Sequence, residues 1–111
     1  MEQKQIKILH QSLKTKWYRM IETGEKTEEY REHGPYWCQR IQPSPCPQYT
    51  HVQFSLGYPK KNDATRRMTF ELKAIEYREG REEWGAEKGK KYLVEVLGRR
   101  TTLDGTKLLE D

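Results

Sequence analysis

Hydrophobic side chains are scarce in this chain: they make up 33% of its 111 residues, against 34% that are charged. No apolar stretch approaches the ~20 residues that a helix needs to cross a bilayer, so no membrane partner is expected. The opening Met1-Glu2-Gln3-Lys4 leads into no hydrophobic region of signal-peptide type, and a cytoplasmic location is the expectation that follows. Cysteine is almost lacking. Cys38 and Cys46 are the only two; they could meet across their loop, but one pair makes no framework and a reducing compartment keeps both as thiols. Together with His33 they supply neither four ligands nor a tight cysteine pair, so neither a metal nor any other cofactor is expected. There is also no internal repeat.

Aromatic residues, by contrast, are spread along the whole chain: three Trp, seven Tyr and two Phe. They can anchor a thin core, which argues against disorder. A chain of this length forms one domain that buries about two-thirds of its unfolded surface without staples. The formal charge of +4 is compatible with a nucleic-acid partner without requiring one.

Ile6-Lys7-Ile8-Leu9-His10 alternates as a first strand does. Ser12 then suits a helix N-cap, and Leu13, Trp17, Met20 and Ile21 form an apolar stripe that places Trp17 in the core. Gly24 ends this helix as a C-cap glycine would. Gly34-Pro35 opens a second, short helix carrying Tyr36, Trp37, Arg40 and Ile41. Alternating prolines at residues 42–48 predict a stiff surface loop. Val52, Phe54 and Leu56 mark another strand, followed by a turn-rich connection at residues 57–63. Met68, Phe70, Leu72 and Ala74 point inward until the phase slips at Ala74-Ile75, where Ile75 and Tyr77 continue in the other parity; a β-bulge or barrel corner produces such a slip. Residues 78–91 are a polar excursion interrupted by Trp84, and Tyr92-Leu93-Val94-Glu95-Val96-Leu97 is a largely buried strand. The expected organisation is a single domain over residues 1–98 and a tail over 99–111. Asp104-Gly105 in that tail suits either a small hairpin or a frayed end. The fold class is α+β, mainly β: a small curved or closed sheet of five or six strands flanked by two helices.

Residues 24–31, Gly-Glu-Lys-Thr-Glu-Glu-Tyr-Arg, join the first helix to a strand. Strand alternation puts Thr27, Glu29 and Arg31 on one face and Glu28 and Tyr30 on the other, with Lys26 at the corner free to reach either. A hydroxyl, a carboxylate, a guanidinium and an ammonium in this pattern can read a planar hydrogen-bonding ligand. The same residues also suit a solvated edge strand with an ordinary ion pair. Lys60, Lys61, Arg66 and Arg67 beside Tyr58 suit either phosphate contacts with base stacking or a plain solvated hairpin. Trp84 between glycines either plugs the end of the sheet or stacks a base.

The run Leu9-His10-Gln11-Ser12-Leu13-Lys14, a helix with Trp17, and then Gly24 to Arg31 with Lys26, Glu29 and Arg31 in the order Gly-x-Lys-x-x-Glu-x-Arg resembles the ASCH domain family. Tyr36-Trp37, Gly57-Tyr58 and Glu83-Trp84-Gly85-Ala86-Glu87 resemble its small bacterial and phage-type members, and the likeness spans roughly residues 6–98. The resemblance implies a PUA-like β-barrel with a cleft that binds RNA or a modified nucleoside. Its ligand-binding residues would be Lys26, Thr27, Glu29, Arg31 and Trp84, and the nucleic-acid contacts Tyr58, Lys60, Lys61, Arg66 and Arg67. Some relatives hydrolyse the amide of N4-acetylcytidine with a threonine, a lysine and a glutamate, and others are associated with RNA cleavage. The lysine falls on Lys26, but the threonine position is Glu29 here, so amide hydrolysis or nuclease action would have to use Lys26 and Glu29 as the catalytic pair.

Overall fold

The computed structural model describes residues 5–44 and 47–109. Residues 1–4 and Cys46, on which the leader and cysteine-pair readings rest, lie outside that range. The chain is α+β and mainly β, a curled sheet of five strands with two short helices. In chain order these are β1 (Ile8–Leu13), α1 (Thr15–Glu22), β2 (Glu28–Arg31), α2 (Pro35–Cys38), β3 (His51–Leu56), β4 (Arg67–Glu79) and β5 (Lys91–Thr101). One-turn 3-10 helices occupy Ala64–Arg66 and Glu82–Trp84. The strand order is β1-β3-β4-β5-β2. Only the β1–β3 pair is parallel, because the long connection through α1, β2 and α2 returns the chain in the starting direction. The two edges, β1 and β2, are near in sequence yet at opposite ends of the sheet.

Strand β1 begins and ends later than its alternation suggested, and this moves the helix. Residues Ile8 to Leu13 pair in register with His51 to Leu56, so Ser12 is spent in the ladder rather than as an N-cap. Lys14 takes the cap position in extended geometry and makes no side-chain cap bond. A single cap is worth about 1 kcal/mol, less than the ladder bonds and buried Leu13 that a helix starting at Ser12 would give up. The buried face of α1 is Tyr18 and Ile21, and Trp17 stands at the margin, half-buried outside the core. Gly24 does end the helix, with φ +86. Beyond it the Lys26 N–H closes on the Met20 carbonyl at 2.9 Å, folding the chain back beneath α1.

The phase slip in β4 is real. Its register with β5 is irregular between Phe70 and Leu72 and again between Leu72 and Ala74. Burial passes from Met68 and Leu72 to Ile75. Ser44 of the proline-rich segment bonds the Ile75 backbone both ways, at 2.7 and 2.9 Å, beside this irregularity. Tyr77, expected inward, is 45% exposed. Val52, Phe54, Met68 and Leu93 form the centre of the core. Strand β5 runs past Leu97 to Thr101, so it crosses the 98/99 boundary without a break. The following hairpin forms around Asp104-Gly105, and Gln53 Nε2 and Thr69 Oγ1 hold it to β3 and β4 by donating to the Leu103 carbonyl.

Candidate ligand-binding cleft

The curl of the sheet brings edge strands β1 and β2 together, and side chains join them. Arg31 on β2 donates from Nε and Nη2 to Gln11 Oε1 on β1, at 3.0 and 2.6 Å. Gln11 Nε2 in turn donates to Glu95 Oε2 on β5. Glu95 lies directly opposite Glu29 in the antiparallel β2–β5 register. Glu29 Oε1 accepts from Lys26 Nζ at 3.0 Å and from the Tyr30 N–H at 2.8 Å. Lys26–Glu29 and Glu95–Gln11–Arg31 are thus two bonded groups that abut at the opposed Glu29–Glu95 pair, a polar chain across the seam whose central link is strand register and not a hydrogen bond. The Gly24 corner and the Met20 carbonyl aim Lys26 into it.

Burial governs the charges in this chain. Lys26 is only 1% exposed, with its ammonium 4.5 Å from the centroid of the Trp17 ring and 5.6 Å from that of Tyr30. Burial lowers its pKa, and the Glu29 carboxylate opposes that shift. Burial pushes the Glu95 carboxyl up to about 7; Arg31 and the Gln11 amide pull it down, while Glu29 pushes it further up. On the other side of β2, Tyr30 Oη donates to Glu28 Oε1 at 2.6 Å and Arg78 Nη2 pairs with Glu28 Oε2 at 2.6 Å. Burial pushes the Glu28 carboxyl up, but these two partners outweigh it and the net shift is downward.

A cleft of about 600 Å³ opens at one side of this chain, with Glu29 and Arg31 in its lining and Trp17, Tyr58, Trp84 and Tyr92 among its walls. Trp84 is buried and carries the Arg81 guanidinium 4.7 Å from its ring centroid. Trp17 reaches the wall because Gly85 leaves room: a Cβ there would lie 2.9 Å from the indole, and Gly85 itself has φ +104. Across Arg31 lies a second hollow of about 470 Å³, with Tyr36, Trp37 and Tyr58 in its lining. There the Arg31 guanidinium stacks 4.9 Å from the Trp37 ring centroid.

The structure brings Glu29 and Arg31 into the lining of one cleft and pairs Lys26 with Glu29, with Lys26 beneath the cleft rather than in its wall. Thr27 is exposed and stands before β2; its carbonyl accepts from the Leu97 N–H at 3.1 Å. Tyr58, 95% exposed, stands at the mouth of both hollows. Lys60 and Lys61 are exposed, and so is Arg66, which pairs loosely with Asp63 at 3.7 Å. Arg67 is committed to the fold, donating from Nη1 to the carbonyls of Lys60 and Asp63 at 2.8 and 2.7 Å.

Three members of the site went unseen in the sequence. Gln11 shares strand parity with buried Leu9 and Leu13 once β1 is taken to Leu13. Glu95 is the one acid within an apolar strand, a signal that was there to read. Trp17 lies on the apolar stripe, which by periodicity alone places it in the core and hides its part in the cleft wall. Among the described residues, no group of three or more His, Cys, Asp or Glu side chains is placed to hold a metal ion. No family model, curated protein or solved structure matches this chain.

Proposed function

We propose that this is an ASCH-type domain whose cleft binds a nucleobase, presented by RNA or as a modified nucleoside. The observation that carries the reading is a cationic donor, Arg31, beside a carboxylate acceptor, Glu29, in a cleft walled by Trp17, Trp84 and Tyr92. A base edge carries donors and acceptors that such a pair matches, and aromatic walls add about 1–3 kcal/mol per stacked base. A site built this way rejects analogues that leave its polar groups unpaired. Exposed Lys60, Lys61 and Arg66 beside Tyr58 suit the phosphates of a longer ligand. Tryptophan fluorescence reports on the site directly, because Trp17 and Trp84 line it. Titration with cytidine, N4-acetylcytidine, uridine, guanosine and single-stranded RNA should give saturable quenching for at least one ligand, lost in Arg31→Ala. Glu29→Gln should change which ligand is preferred. Silence across the whole panel would sink the reading.

A second reading, hydrolysis of an acetylated cytidine, draws on Glu29 lying 3.0 Å from Lys26 and directly opposite Glu95. In it Glu29 takes a proton from water, the hydroxide adds to the amide carbon, and Arg31 faces the developing oxyanion. The C–N bond then breaks, with the proton passing to the leaving amine, to release acetate and cytidine. Turnover of N4-acetylcytidine that vanishes in Glu29→Gln supports it; binding without turnover leaves the first reading alone.

A further inference from the structure

The polar chain contains an unpaired feature at its centre. Glu29 Oε2 and Glu95 Oε1 are both buried, and neither has a hydrogen-bond partner among the described residues. Both acids belong to one directly opposed pair of the β2–β5 ladder, and side chains at such positions stand on the same face with Cβ atoms about 5 Å apart. Two carboxyl groups so placed, away from water, do not both ionise. Their other partners decide which one keeps the proton. Glu29 Oε1 accepts from an ammonium and from a backbone N–H, the surroundings of an anion. Among the described residues, Glu95 accepts only from the neutral amide of Gln11.

We propose that Glu95 is a positioning residue that stays protonated: its carboxyl donates to the open oxygen of Glu29, while its other oxygen holds Gln11 and, through Gln11, Arg31. One buried proton then sets both the acceptor and the donor that the cleft presents. The charged groups facing Glu95 are Glu29 and Arg31 from β2 and Lys26 from the turn before it. β1 contributes neutral Gln11, and the β4 partner of Glu95 is Ile75, which is apolar. When Glu95 ionises it loses its donor, repels Glu29 and competes for Arg31, so the array comes apart as a unit.

This inference rests on the nucleobase reading only for its consequence, and its test uses no ligand. The side-chain carboxyl signals of the full chain are followed by carbon-detected NMR across pH, together with the Arg31 Nε–H signal. One glutamate should titrate near pH 7, its step should be missing in Glu95→Gln, and the Arg31 signal should shift at the same midpoint. Glu29→Gln should lower the Glu95 midpoint, because a facing negative charge is removed. Every glutamate titrating at the ordinary value of about 4–5, or an Arg31 signal indifferent to the Glu95 step, overturns the proposal. So does a Glu95 midpoint that Glu29→Gln leaves in place. Where a variant fails to fold, the wild-type midpoints of Glu95 and Arg31 decide alone. A positive titration in a protein that binds none of the nucleosides would overturn the nucleobase reading and leave this pairing standing.

Discussion

Lys26 shows at the residue scale how burial and charge are set against each other. Its ammonium is taken out of water and compensated by Glu29, by the Trp17 ring and by the Tyr30 ring. Removing one partner of a buried ion pair leaves the other uncompensated, at a cost of about 3–5 kcal/mol. Lys26→Ala should therefore lower unfolding stability by roughly that amount in urea melts. Lys26→Met, which keeps the packing against both rings, should cost less; equal losses would show that charge pairing dominates. Glu95 gives a pH signature of the opposite origin. Its folded-state pKa, about 7, lies above the unfolded value of about 4.3, so the folded state binds the extra proton between the two. The stabilisation is complete below the unfolded value and is lost as pH rises through the folded one. Stability measured from pH 4.5 to 8 should fall with rising pH, and Glu95→Gln should flatten the fall.

At the scale of elements, the turns matter as much as the strands. The 3-10 turn Glu82–Trp84 ends at Gly85, whose positive φ and missing Cβ let the Trp17 indole close the cleft wall. Gly85→Ala should cost about 1–3 kcal/mol from backbone strain and push Trp17 outward, seen as a red-shifted emission. An unshifted spectrum with full stability would mean that the turn accommodates the methyl group. Much of the element plan was legible in advance. The alternation of Val52, Phe54 and Leu56 and the Gly24 corner are local patterns and match the structure; the helix behind Pro35 forms but stops at Cys38, short of Arg40 and Ile41, and the irregularity of β4 lies between Phe70 and Ala74, just before the expected slip at Ala74-Ile75. The start of α1 was not legible. A cap signal at Ser12 competes with a ladder partner more than forty residues away in β3, and the ladder prevails.

For the whole molecule, the decisive feature is that β1 and β2 sit at opposite edges of one sheet and are joined by side chains. The basic side chains divide by role at this scale. Lys60, Lys61 and Arg66 are exposed, whereas Arg67 braces the connection before β4. Replacing the first three together with serine should keep stability within about 0.5 kcal/mol, as distant surface changes do. The same triple variant should flatten the salt dependence of RNA binding, because fewer counterions are released. Arg67→Ser should instead destabilise by about 1–3 kcal/mol, since its two hydrogen bonds to the Lys60 and Asp63 carbonyls, each worth about 0.5–1.5 kcal/mol, are lost. Stability loss in the triple variant, or none in Arg67→Ser, would reverse that assignment.

The sequence by itself determined that Glu29 and Arg31 share a face, because strand alternation obliges them to, and left Lys26 at the corner free to reach either side. It also determined that the chain is a small, mainly β domain, because alternation and turn chemistry are local properties. Only the tertiary structure decided what those residues face. Strand parity says which side a side chain takes but not which strand lies beside it, so Gln11 and Glu95, 84 positions apart, could meet only once the sheet had curled. Helical periodicity likewise put Trp17 on the apolar stripe of α1, and the way that helix docks sent Tyr18 into the core and Trp17 to the cleft.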